Sequence, residues 1–234
     1  MNVRRNFLRR LCAAFRYPVH GDGAYALLAG GVVFTVGDYL SACASIWGIL
    51  IQIATTGYLA AFAKDIVRTS ALGEEMPPGW LDFSGAWADL LAPAIEFLAV
   101  MAIAFGPLIY LSFKPPGPTI DGKIFWFAGG LWGCLTFPIL FLAVAMMDSI
   151  RAIVNPIPLA RAVWLTFPDY CQASLFGGLL IGSGTALHGL ANTMNRVPVL
   201  PRLLGWFVCL YFLMVLMRGF GLLYRHHHDR LQWV

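Results

Sequence analysis

The chain has 234 residues, 59% of them hydrophobic and 12% charged, with a net charge of +4 and a mean hydropathy of +0.71. Soluble domains carry about a quarter charged residues, so this composition excludes an ordinary soluble domain and places the chain among integral membrane proteins. The charge is too small and too scattered for a nucleic-acid-reading face, and no nucleic acid partner is expected.

The chain opens with Arg4-Arg5-Asn6-Phe7-Leu8-Arg9, which looks like a twin-arginine export signal. The apolar run after Arg10 is only Leu11 to Phe15, and Arg16 ends it; an export signal needs an apolar region of about 7–15 residues followed by a small-residue cleavage site. On a helix, Phe7, Leu8, Leu11 and Phe15 share one face while Arg5, Arg9 and Arg16 lie largely away from it. This predicts that residues 1–18 form an amphipathic interfacial segment on the anionic inner leaflet, with Arg4, Arg5, Arg9 and Arg16 at the membrane surface.

Residues 24–63 hold one acidic residue, Asp38, and no base. Forty apolar residues make about 60 Å of helix, twice a hydrocarbon core, so two spans are predicted here. The turn between them falls at Gly37-Asp38 or around Ser41 to Ser45. A polar stretch follows at 64–85. Span three is predicted at about 87–113, span four at about 124–147 after the turn-rich 114–123, span five at about 170–191 after a connector at 148–168, and span six at about 203–224. The expected organisation is an all-α protein: an interfacial segment at 1–18, a six-helix transmembrane domain at 19–225 and a tail at 226–234.

With six spans both termini share a side. That side collects Arg4, Arg5, Arg9, Arg10, Arg16, Lys64, Arg68, Arg151, Arg161, Arg218, Arg225 and Arg230, twelve of the sixteen bases. The excess of Lys and Arg predicts a bacterial inner-membrane protein with both termini in the cytoplasm. Trp80, Trp87, Tyr110, Tyr170 and Trp206 fall near predicted interfaces, as aromatic belts do, and Trp80 is expected to anchor the 64–85 connector at the membrane surface. Asp65-x-x-Arg68 and Asp148-x-x-Arg151 end spans two and four alike, a weak internal echo of the kind left by parallel repeats.

Span three carries the most informative charges. Glu96 lies about 15 Å from its start, near mid-membrane, and Asp89 precedes it by seven residues on the same helical face. Pro93 and Pro107 interrupt the helix. A carboxylate at that depth costs about 2.5–3.5 kcal/mol and faces protein or water. It can serve as a proton or cation site, or tie helices together. Arg218 either snorkels to the interface or pairs with Glu96 or Asp148. His188 is a candidate intramembrane polar group.

Small residues recur at four-residue spacing: Ser174, Gly178, Gly182 and Ala186 in span five, and Gly129 and Gly133 in span four. Such ridges let helix backbones approach closely and suit a tight bundle, an oligomer or a partner subunit. The five cysteines lie mostly in apolar stretches and form no CxxC, so they read as small hydrophobes. His226-His227-His228 project about 100° apart on a helix, do not converge, and read as a hydrated tail. No metal site, cofactor or catalytic constellation is expected.

The segment Gly57-Tyr58-Leu59, with its basic helix exit, Gly73-Glu74, Pro78-Gly79-Trp80 and Asp82-Phe83, resembles a bacterial and archaeal family of multi-pass membrane proteins known only as a domain of unknown function. Phe15-Arg16-Tyr17-Pro18 and the connector at 155–170 are similar to that family as well. The resemblance extends over about 15–225 and implies a six-span helical protein, with no activity attached.

The function expected is a non-enzymatic structural or accessory subunit that packs in the bilayer against partner membrane proteins or itself. The alternatives are a small transporter or channel-like component using Asp89 and Glu96, and a membrane-embedded enzyme acting on lipid.

Overall fold

The computed structural model describes residues 2–43, 45–79, 85, 87–113, 120–193 and 199–231, without the side chains of 2–6, 8, 43, 45, 120, 121, 185, 188–193 and 230. Among the described residues the chain is all-α, with no strand. The helices are α1 (Asn2–Ala13), α2 (Gly23–Cys43), α3 (Ser45–Leu72), α4 (Ala92–Phe113), α5 (Ile120–Met147), α6 (Pro156–Thr193), α7 (Val199–His226) and the short α8 (His228–Leu231). A 3-10 segment, Ala14–Val19, links α1 to α2, and a π-helical turn, Trp87–Leu91, leads into α4.

Among the described residues, five stretches are long and apolar enough to cross a membrane: Gly23–Ala42, Ile46–Leu72, Trp87–Phe113, Gly122–Met147 and Val199–His226. In hydrocarbon a backbone must satisfy its polar groups internally, which an uninterrupted helix does. The first two form the predicted hairpin. Helix α2 continues through Gly37 and Asp38 to Cys43, so the break falls at the second of the two turn positions. The pair is antiparallel: Phe34 packs on Tyr58, with ring centroids 5.9 Å apart, and Gln52 donates to Ser41 Oγ at 3.2 Å.

Other neighbours are antiparallel too. Phe97 meets Phe141 edge-on while Gly129 lies against Leu108, which sets α4 beside α5. Gly177 lies against Leu216 and Gly184 against Phe212, which sets α6 beside α7. Helix α6 differs from the sequence expectation. It begins at Pro156 and runs 38 residues, about 57 Å at 1.5 Å per residue, so the helix takes in most of the connector expected at 148–168. Pro156 sits at its first position, where the missing N–H costs nothing.

The helix ends that matter below are shaped by local chemistry. Gly73, at φ +93°, closes α3: its N–H donates to Ser70 O at 3.2 Å and that of Glu74 to Thr69 O at 2.9 Å, the paired bonds of a Schellman end. Gly221 marks the tightest join of α7 to α3, since a Cβ there would lie 2.3 Å from Ser70 Cβ and 2.6 Å from Val67 O.

Helix α1 packs differently from an interfacial segment lying on lipid. Phe7 and Leu11 are buried against the C-terminal part of α7: Phe7 stacks near His226 at 5.7 Å, and Leu11 lies beside Gly219. Arg9, Arg10 and Arg16 are exposed. Of the apolar face read as facing the bilayer, Phe7 and Leu11 cover the protein's own helix, Phe15 is exposed, and the side chain of Leu8 lies outside the described residues. The side chains of Arg4 and Arg5, and all of Trp80, lie outside the described residues.

Candidate functional site

Among the described residues, three polar clusters centred on Lys64, Arg218 and Asp169 join helices. The first surrounds Lys64, which is only 7% exposed and lies eight residues before the end of α3. Its Nζ is 2.6 Å from Glu96 Oε2 and 2.7 Å from Asp148 Oδ1. Arg68, one turn further on the same face, puts Nη2 2.7 Å from the same Asp148 oxygen and donates from Nε to Ala145 O at 2.6 Å. One ammonium thus bridges α4 and the end of α5, while the guanidinium satisfies a carbonyl in the last turn of α5, where a helix carries partial negative charge.

Asp148 follows the last residue of α5 and adopts φ +49°. The left-handed region is uncommon for a residue with a Cβ, though Asp tolerates it better than most. That conformation ends the helix and turns the carboxylate back toward α3. Its side chain is 63% exposed. Burial pushes the Asp148 carboxyl up, but hydrogen bonds from Lys64 and Arg68, with their charges, outweigh it and hold the carboxyl below its ordinary value. Ser149 then accepts from Arg151 N–H at 3.2 Å and opens a short 3-10 turn.

Glu96 is tied to α3 by Lys64 and, through that shared cation, to the end of α5. Asp89 serves a local role: its Oδ2 accepts from Gly85 N–H at 2.7 Å within the turn before α4. The π-helical turn spanning Asp89 is wider than an α turn, which breaks the seven-residue register that would align it with Glu96. The two Asp-x-x-Arg echoes meet crosswise, Arg68 of the first with Asp148 of the second.

The second cluster surrounds Arg218, 8% exposed on α7. Among the described residues it pairs with neither Glu96 nor Asp148; its guanidinium reaches toward the end of α3. Its Nη1 donates to Ser70 Oγ at 3.1 Å and to the carbonyl of Glu74, and the guanidinium stacks over Tyr17 with Cζ 4.6 Å from the ring centroid. Tyr17 donates to Met76 O at 3.4 Å. Burial raises the Tyr17 phenol, partly offset by hydrogen bonds from Thr69 and Ser70 and by the Arg218 charge. A planar guanidinium suits this place because it stacks and donates along several directions at once.

The third cluster lies where α7 stops. His226 is the last residue of α7 and His227 is the turn residue before α8. The break swings the two rings together, with centroids 4.9 Å apart. Nε2 of His227 lies 3.0 Å, and Nε2 of His226 3.7 Å, from Oδ2 of Asp169. These imidazoles were expected to diverge on a continuous helix; the helix end makes them converge. Asp169 is 6% and His227 9% exposed. Asp169 Oδ1 and Gln172 Oε1, three residues apart on α6, are buried acceptors without a donor among the described residues. An orphaned buried acceptor costs about 1–3 kcal/mol.

The small-residue ridges divide. Gly129 and Gly133 take Leu108 and Phe105 of α4, and Gly178 lies against Cys134 of α5; Ser174 is buried. A Cβ added at Gly182 would meet open space, and both Gly182 and Ala186 are exposed. On another side of α6, Leu180, Ile181 and Gly184, with Gly205, Cys209 and Phe212 of α7, border an apolar groove of about 410 Å³. His188 lies on α6, but its side chain is outside the described residues. Tyr170, expected at an interface, is instead fully buried and donates to Leu135 O. At the far end of α2, Trp206 donates to Asp38 Oδ2 at 2.6 Å and Arg202 stacks over Tyr39 at 4.4 Å.

Sequence reasoning missed Lys64, Arg68 and Asp169 as site residues. For Lys64 and Arg68 a signal existed: two bases four apart, at the inner end of an apolar helix. For Asp169 there was none, because its partners are 57 and 58 residues away on a helix end whose break the sequence does not mark.

Comparison with known proteins finds no matching family model, no matching curated protein and no matching solved structure.

Proposed function

We propose that the chain is a six-span, non-enzymatic membrane protein that acts as a structural or accessory subunit, packing against partner membrane proteins or a second copy. The observation that carries this reading is the α6 ridge. Ser174, Gly177 and Gly178 are spent on packing inside the chain, and the same helix continues with Gly182 and Ala186 exposed on its surface. Small residues of this kind are what close helix docking in lipid uses. Helix α6 is the sixth span in this reading, supported by its length and its antiparallel run beside α7. The excess of Lys and Arg on one set of loops supports an inner-membrane location with cytoplasmic termini, and the connector motifs support the unknown-function family. The test is affinity purification from native membranes in mild detergent with mass spectrometry. A stoichiometric partner or a homo-oligomer that Gly182→Leu abolishes, while the chain still folds, is expected; a monomer alone throughout overturns the reading.

A second reading, a transporter-like component, is favoured by one observation: the Lys64 cluster is buried at Glu96 and open at Asp148. It requires Glu96→Gln to abolish flux while the protein still inserts; unchanged flux removes it.

A further inference from the structure

We propose that Asp169, His226 and His227 bind one divalent transition-metal ion of the zinc class. One ligand atom from each residue lies within 4.8 Å of the other two, and the two imidazole Nε2 atoms stand 3.0 and 3.7 Å from the same carboxylate oxygen. Ligands about 2.1 Å from a tetrahedral ion are about 3.4 Å apart, so each nitrogen already stands about a coordination shell's spacing from the carboxylate oxygen. Two nitrogens and one oxygen from neutral imidazoles and a carboxylate form a borderline donor set, suited to zinc, cobalt or nickel and unsuited to the all-oxygen cations calcium and magnesium.

The surroundings point the same way. Oδ2 receives one hydrogen bond of ordinary length, from His227 if that ring carries its proton on Nε2; the second ring is too far away to donate. Among the described residues, Oδ1 of Asp169 is buried with no donor, and so is Oε1 of Gln172 one turn along α6. Electron-rich atoms gathered in a buried place require positive charge, and a proton on one ring serves only one of them. A cation serves the rings and the carboxylate together, and leaves a fourth position for water or for the Gln172 amide oxygen. The site pins α6 to the α7–α8 break. Because Phe7 packs against His226, it also fixes α1. The ion would act as a clasp between helix ends.

Zinc chloride titrated by calorimetry into the full-length protein, purified in detergent and stripped with chelator, tests this. One ion per chain is expected, with affinity reduced at least tenfold by Asp169→Asn and by His226→Gln, and unchanged by His228→Ala. Cobalt in place of zinc should give a d–d absorption band that Asp169→Asn removes. Zinc should also raise the melting temperature of the wild type and of His228→Ala, but not of Asp169→Asn. This last comparison is read only on variants that elute as the wild type does in size exclusion. No binding at micromolar zinc, or binding that survives both Asp169→Asn and His226→Gln in folded protein, overturns the proposal.

Discussion

Lys64 Nζ lies 2.6 Å from Glu96 Oε2, across 32 residues of sequence. A buried pair of this kind contributes little net stability against a hydrophobic replacement, because desolvation consumes most of the Coulombic gain. Breaking it is another matter. Lys64→Met should strand Glu96 and cost about 3–5 kcal/mol, whereas Lys64→Met combined with Glu96→Leu should recover most of that loss. Thermal unfolding of the three variants in detergent checks the pattern; a single variant as stable as wild type would show that the pair is not a structural tie.

Acid should loosen the same cluster. Asp148 is held below its ordinary value in the folded chain, so its contribution is present above the unfolded carboxylate pKa of about 4 and is lost as pH falls through the lower folded value. The wild type should lose melting temperature as pH falls below about 4 more steeply than Asp148→Asn does. Equal slopes for the two proteins would remove Asp148 as a source of the acid sensitivity.

Two glycines should behave oppositely. At Gly221 an added Cβ meets Ser70 and the Val67 carbonyl, so Gly221→Ala should force α3 and α7 apart and destabilise by about 1–3 kcal/mol. At Gly182 the space is open, and Gly182→Ala should stay within about 0.5 kcal/mol. Melting curves of the two variants side by side make the comparison.

Arg218→Lys keeps the charge but loses the stacking plane over Tyr17 and at least one of two bonds, to Ser70 and to the Glu74 carbonyl. A loss of about 1–3 kcal/mol is expected. Tyr17→Phe, which keeps the ring, should cost about 1 kcal/mol. The order of the two melting temperatures is the result to read.

Topology is open to chemical labelling. In a cysteine-free background, Pro118→Cys should react with an impermeant maleimide from the periplasm and His228→Cys should not. Reaction of both, or of His228→Cys alone, contradicts cytoplasmic termini.

Much of the helical layout was legible because its signal is additive over many residues. Long apolar runs gave the first hairpin and the spans at Trp87–Phe113 and Gly122–Met147 nearly to the residue. Helix α6 was misjudged because Arg161, Asp169 and three prolines look like a loop, yet Pro156 and Pro158 fall in the first turn of a helix where they are tolerated. The polar clusters were legible only where charge stood out against an apolar background, as at Glu96. Partners were not, since Lys64 meets Asp148 across 84 residues and nothing local records that distance. His226 and His227 show the limit most plainly: whether adjacent side chains converge depends on one unmarked break in the helix.

Lys64 has a further consequence for how this protein is made. The lysine leaves the ribosome well before Glu96 and longer still before Asp148, while Arg218 follows its anchor, Ser70, by 148 residues. The first hairpin is therefore made before the two carboxylates that pair with Lys64 in the folded chain, and the next hairpin supplies both. The last helix then closes contacts with residues made near the start of synthesis. A chain truncated ahead of the second hairpin would lack both of these partners of Lys64, and one truncated ahead of the last helix would lack the guanidinium that meets Ser70.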